Sequence, residues 1–113
     1  MFSFTFSKII DNDIDSCYFY IKDNLQAPMA AENLMKELYV KIDKVLENPF
    51  FRPLVQDKLL ASLGIRFIGI KNYLLFYIVE EDINNINFIT FLYGKRDWAN
   101  IIKELPLNEI LWK

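Results

Sequence analysis

The run FLYGKRDW, residues 91–98, ends an apolar stretch with two adjacent cations, Lys95 and Arg96. A lysine beside an arginine suits an anion, either a phosphate or a carboxylate on a protein surface. Tyr93 adds a phenol just before them and Trp98 an indole just after. Arg66 is the cation set inside an earlier apolar run. Each has a plain structural alternative. Lys95 and Arg96 can be a solvated strand end, or Arg96 can pair with Asp97 or a nearby carboxylate. Tyr93 can be a core aromatic with a polar tip. Trp98 can anchor a helix, and Arg66 can sit in a structural ion pair.

The rest of the inventory narrows the chemistry. The 113 residues contain no histidine. The usual general base near neutral pH is therefore missing, and so is any Ser-His or Cys-His nucleophile pair. With a single cysteine, Cys17, a zinc site is close to excluded and an intrachain disulfide is impossible. Cys17 falls on an apolar helical stripe and reads as a small core residue. Asp11, Asp13 and Asp15 alternate like the start of a calcium loop, but the required glycine and closing glutamate are absent. No metal or other cofactor is expected. Any catalysis would have to use Lys, Arg, Tyr, Asp or Glu.

Charge points the same way. The net charge is −2 and the pI is near 5.1. Residues 1–50 carry −3 and residues 51–113 carry +1. Strong nonspecific nucleic-acid binding is not expected, although the second half leaves room for a local basic patch. The N-terminus lacks a basic start with a long apolar run, and no apolar run reaches about 18 residues. A cytoplasmic protein without a membrane span is expected.

Elements that could position these residues follow from periodicity. Residues 2–6 alternate as a short strand, and Ser7 stands at a helix N-cap position. Ile10, Ile14, Cys17, Tyr18, Ile21 and Leu25 recur at helical spacing, until Pro28 breaks or restarts the helix. Ala31, Leu34, Met35, Leu38, Ile42, Val45 and Leu46 form a second stripe. Together they predict an antiparallel helical hairpin over roughly residues 8–47, closed by Asn48 and Pro49. A short helical turn stopped at Gly64 follows. Three apolar, β-rich runs separated by Lys71-Asn72 and residues 82–85 predict an antiparallel meander. Asp97 is a candidate cap for a short last helix that ends near Pro106. One domain, residues 1–113, is expected, of α+β class: an N-terminal strand and a helical hairpin packed on a small twisted antiparallel sheet.

Strict alternation puts Tyr73, Leu75, Tyr77 and Val79 on one face of the middle meander strand and Leu74, Phe76 and Ile78 on the other. In the last strand it sets Phe88, Thr90 and Leu92 against Ile89, Phe91 and Tyr93. Both faces are apolar, so the sheet needs cover on both. The hairpin can cover one. The other needs the C-terminal segment, including Ile110, Leu111 and Trp112, or a second copy, or a partner chain.

With that order of elements, the chain resembles the RelE/ParE superfamily of bacterial toxins from type II toxin–antitoxin pairs. The resemblance is carried by PMAAENLMKELYVKIDKVLENPF, GIRFIGIKNYLLFYIVEED and ITFLYGKRDW. It implies a small growth-inhibiting toxin held by a cognate antitoxin, in a hetero-oligomer. It also implies one of two targets. RelE-like members cleave ribosome-bound mRNA without a metal, using cations on the sheet and a C-terminal tyrosine. Of that set Arg96 is present. Leu74 follows Tyr73 where an arginine is expected, only Arg66 stands between the two expected lysine positions near Ile65 and Phe67, and the tyrosine position falls near Ile102. ParE-like members inhibit DNA gyrase by binding, lack that set and tend to a longer helical hairpin, so the expectation leans to gyrase. On the nuclease alternative Arg96 and Arg66 would be catalytic. On the binding alternative Lys95, Arg96, Tyr93 and Trp98 would meet the target or partner. A non-toxic interaction module on the same fold is the third reading.

Overall fold

A computed structural model describes residues 2–106. The elements are β1 (Ser3–Phe6), α1 (Lys8–Phe19), a π-helical turn (Tyr20–Asn24), α2 (Pro28–Glu47), α3 (Lys58–Ser62), β2 (Ile65–Ile70), β3 (Tyr73–Glu80), a 3-10 turn (Glu81–Ile83), β4 (Asn85–Tyr93) and α4 (Trp98–Lys103). None of the described helices is long and apolar enough to cross a membrane.

The sheet order is β1-β4-β3-β2. β2, β3 and β4 form the expected antiparallel meander. β1 adds a parallel edge to β4, with Ser3 opposite Asn85 and Phe6 opposite Phe88, so the whole sheet is mixed. Periodicity locates a strand but carries no information about its partner, which is why this pairing was not read from the sequence.

Ser7 does start α1. Its hydroxyl accepts from the Ile10 N–H at 3.1 Å and donates to the Ile89 carbonyl at 2.7 Å. One buried side chain therefore caps the helix and ties it to β4. α2 begins on Pro28, whose missing N–H would have no partner in a first turn. It buries Ala31, Leu34, Leu38, Ile42 and Val45 as the stripe predicts. Each such leucine or isoleucine contributes about 1.5–3 kcal/mol. Tyr18 of α1 donates to Glu32 of α2 at 2.5 Å across the hairpin.

The first helical stripe departs from expectation at its end. Leu25 is 56% exposed. The Leu25 N–H bonds the Tyr20 carbonyl, five residues back, so the last turn is wider than an α-turn. The extra residue rotates the stripe out of phase, and Leu25 swings to the surface while Ile21 stays buried.

The two faces of β3 are as read: Leu75 and Tyr77 sit under the helical hairpin, with Tyr73 and Val79 packed against that core, and Phe76 lies in the opposite core with Leu74 and Ile78 beside it. β4 does not alternate as expected. Phe88 and Phe91 share the hairpin face, and Ile89 and Leu92 the other. The cause is a β-bulge: Phe76 pairs with Thr90 but Tyr77 pairs with Phe88, leaving Ile89 as the extra residue.

Among the described residues, the second face is covered by the chain itself. Val55, Leu60 and Ile102 are buried against Ile65, Phe76, Ile89 and Leu92, with Trp98 and Ile101 at their margin. Asp57 caps α3, accepting from the Leu60 N–H at 3.1 Å, and its other oxygen meets Lys103 of α4 at 2.7 Å. α3 ends at Gly64, whose φ of +85° is open to glycine at little cost. Ile110, Leu111 and Trp112 lie outside the described residues.

Candidate binding cleft at the end of the sheet

β4 ends where the hairpin between β2 and β3 turns. The Gly94 N–H donates to the Asn72 carbonyl at 2.8 Å. A β-carbon on Gly94 would stand 3.2 Å from that same oxygen, so glycine permits the close approach. Two tight steps follow: the Arg96 N–H bonds the Tyr93 carbonyl and the Trp98 N–H bonds the Arg96 carbonyl. This fold-back leaves Arg96 on one side of the sheet end and sends Trp98 to the other.

On the Arg96 side lies a cleft of about 850 Å³ between the hairpin tip and the sheet end. Tyr20, Leu25 and Leu34 form its helical wall, and Lys71, Tyr73, Tyr93 and Arg96 its sheet wall. The Tyr73 ring stacks on Phe91 at 5.1 Å and meets Tyr93 edge-on at 5.6 Å, which fixes the floor. A smaller depression of about 220 Å³ shares Tyr20, Tyr73, Tyr93 and Arg96 and reaches Asp13 and Cys17.

The electrostatics are one-sided. Among the described residues, the formal charges lining the larger cleft are Lys71 and Arg96, both cations. Burial first, and the neighbouring Cys17 thiol second, push the Tyr73 hydroxyl far above the ordinary phenol value. Burial likewise raises the Cys17 thiol, with the Tyr73 hydroxyl opposing it. Both groups stay protonated at neutral pH, so neither is a base or a nucleophile. Asp13, in the smaller depression, is already committed: it accepts from the Thr90 hydroxyl and from the Phe91 N–H.

The candidate residues divide. Tyr93 and Arg96 line the cleft together. Lys95 is exposed beside it. Trp98 lies on the opposite face, its ring 5.4 Å from Phe76, where it anchors α4. Arg66 lies on the edge strand β2, partway along the sheet from the cleft. It pairs with Tyr77, four residues along β3 from the Tyr73–Tyr93 pair, about 13 Å away at strand rise. Its Nη1 donates to the Arg52 carbonyl at 2.5 Å and the Phe50 carbonyl at 3.4 Å, and its guanidinium lies 5.3 Å over the Phe50 ring. The structural alternative for Arg66 was an ion pair; the partners are carbonyls and a ring. For Arg96 it was a solvated strand end or a carboxylate partner; Arg96 is exposed, and the Asp97 carboxylate accepts from the Asn100 amide at 2.7 Å. Asp97 stands at the α4 N-cap position; its carbonyl accepts from the Ile101 N–H at 3.1 Å, and its side chain does not cap.

Lys71, Tyr73 and Tyr20 are cleft residues that sequence reasoning did not single out. Lys71 had read only as turn punctuation. Its φ of +55° is a signal of a tight hairpin, and such a turn throws the lysine to the tip of the sheet beside whatever follows β4.

No curated protein matches the chain. Among solved structures, a chain described as "Chromosomal ParDE TA system from P. aeruginosa" superposes with a TM-score of 0.68 at 12% identity, covering 84% of this chain and 98% of that one. That likeness is one of fold. The family model for the ParE toxin of the type II toxin–antitoxin system parDE matches residues 4–98, and the chain belongs to that family.

Proposed function

We propose that the chain is a growth-inhibiting toxin that acts by binding DNA gyrase and is neutralised by a cognate antitoxin seated in the cleft. Family membership carries the toxin role. The solved relative described as a ParDE system supports an antitoxin partner. The observation that favours binding over RNA cleavage is Arg66. A nuclease centre needs cations, a base and an acid converging on one phosphate. Arg66 instead bonds the carbonyls of Phe50 and Arg52 through Nη1, about 13 Å along β3 from the Tyr73–Tyr93 pair at the Arg96 end. The cleft offers cations, apolar walls and the protonated Tyr73 hydroxyl. Its fit is to an apolar peptide segment that carries carboxylates.

The purified chain is to be assayed in two reactions, gyrase supercoiling and a translating extract. Loss of supercoiling with intact mRNA is the expected result. Cut mRNA with normal supercoiling would replace this reading with ribosome-dependent cleavage. No effect in either, and no growth arrest on expression, would leave only an interaction module.

A further inference from the structure

The segment joining α2 to α3 carries a second surface, away from the cleft. Phe51 is 70% exposed, Phe50 46% and Leu54 42%. Large apolar side chains so placed are costly unless something covers them. Here they sit on a pinned backbone. The Tyr77 hydroxyl, in the core, donates to the Pro49 carbonyl at 2.7 Å. The Phe51 N–H bonds the Asn48 carbonyl at 3.2 Å. Arg66 holds the carbonyls of Phe50 and Arg52, and Leu54 forms a β-bridge to Arg66. A guanidinium lies over each ring: Arg52 5.2 Å from Phe51, and Arg66 5.3 Å from Phe50. Rings on a fixed loop, each with a cation at one face, lose little freedom on contact.

We propose that this patch, Phe50, Phe51, Arg52 and Leu54, is the surface by which the toxin grips its target, and that it is separate from the antitoxin cleft. The inference rests on the toxin reading above. The occupant it fits is a protein face with an apolar pocket rimmed by carboxylates. Aromatic residues and arginine are the side chains that dominate such contacts. Charge complementarity at the rings sets the sign of the rim: the cations Arg52 and Arg66 lie over Phe51 and Phe50, Glu47 is exposed at the end of α2, and the nearby Asp57 is paired with Lys103. A nucleic acid fits less well. The chain is net negative, and exposed Leu54 offers nothing to a base or phosphate.

The test is the double variant F51S/R52E. The pins use the backbone carbonyl of Arg52, not its side chain, so the fold is expected to survive; thermal melting checks this. Growth arrest in cells and affinity for the antitoxin are then compared with wild type. The expected result is roughly tenfold or greater loss of target affinity, read as lost growth arrest, with antitoxin affinity unchanged. Full toxicity of the folded variant overturns the proposal, as does a parallel loss of antitoxin binding, which would make the patch part of the antitoxin interface. If wild type binds a single-stranded oligonucleotide in a salt-sensitive way and the variant does not, the occupant is nucleic acid and the protein-face proposal falls. A wild type that arrests growth through something other than gyrase removes the gyrase reading alone, because the variant comparison does not depend on which protein is gripped. A wild type that never arrests growth removes both.

Discussion

Asp13 of α1 accepts the Phe91 backbone N–H of β4 at 3.2 Å, three residues past the point where β1 stops pairing. The same carboxylate takes the hydroxyl of buried Thr90. Ser7 takes up the Ile89 carbonyl just before. Two side chains thus satisfy the stretch of β4 that has outrun its neighbouring strand, and α1 is fixed over it. Asp13→Ala leaves a buried N–H and a buried hydroxyl without this partner. A loss of about 1–3 kcal/mol is expected, read as a lower urea midpoint at unchanged m-value. A stability within error of wild type would show that water replaces the carboxylate.

Tyr77→Phe removes the hydroxyl that holds Pro49 and leaves the ring in the core. The expected cost is about 1 kcal/mol, with faster hydrogen exchange at Phe51 than in α2. The variant also has a pH signature. Burial pushes the Tyr77 phenol up to about 12, against the opposing field of Arg66 and Arg52. In the unfolded chain a tyrosine ionises near ~10. A raised folded value means the contribution is whole below pH ~10 and is lost as pH rises towards 12. Wild type should therefore lose stability over that window more steeply than Tyr77→Phe. Parallel curves would contradict the burial of the hydroxyl.

Gly94→Ala puts a β-carbon 3.2 Å from the Asn72 carbonyl. The β2–β3 turn must yield by a few tenths of an ångström, at a cost of about 1 kcal/mol. Because that contact sets Lys71 beside Arg96, antitoxin affinity should fall more than stability does. Calorimetric titration with the antitoxin measures the first and thermal melting the second. Equal affinity would separate the turn from the cleft.

The Lys103 ammonium, then the Leu60 N–H, hold the Asp57 carboxyl below the usual carboxylate range. A depressed folded value contributes stability above the unfolded carboxylate value, near ~3.9, and loses it as pH falls through the folded one. Asp57→Asn should flatten the acid limb of the stability curve below pH ~4 and loosen α4 from α3. An unchanged acid limb would mean that solvent already screens the pair.

What the sequence disclosed depended on how many arrangements each pattern allowed. The α2 stripe from Ala31 to Val45 has one face to bury, so its placement was legible. The faces of β3 were legible because the strand is regular. β4 was not, since INFITFLY is apolar on both sides and a one-residue slip at Ile89 exposes nothing. Tyr93 and Arg96 were found at the cleft because two cations after a strand are conspicuous. Lys71 and Tyr20 were missed because their meeting depends on where two distant turns end. Asp13 was weighed only as a calcium ligand; its real partners, Thr90 and Phe91, lie more than 75 residues on.

The pairing of Ser3 with Asn85 spans 82 residues. Synthesis at about 5–20 residues per second separates the two strands by roughly 4–16 s. Throughout that interval the nascent chain holds Phe4 and Phe6 with no β4 to lie against. The sheet closes only once β4 has been made, so a fragment released before residue 85 lacks the β4 end and the cleft it builds. A chain wired this way keeps its first strand waiting for its last.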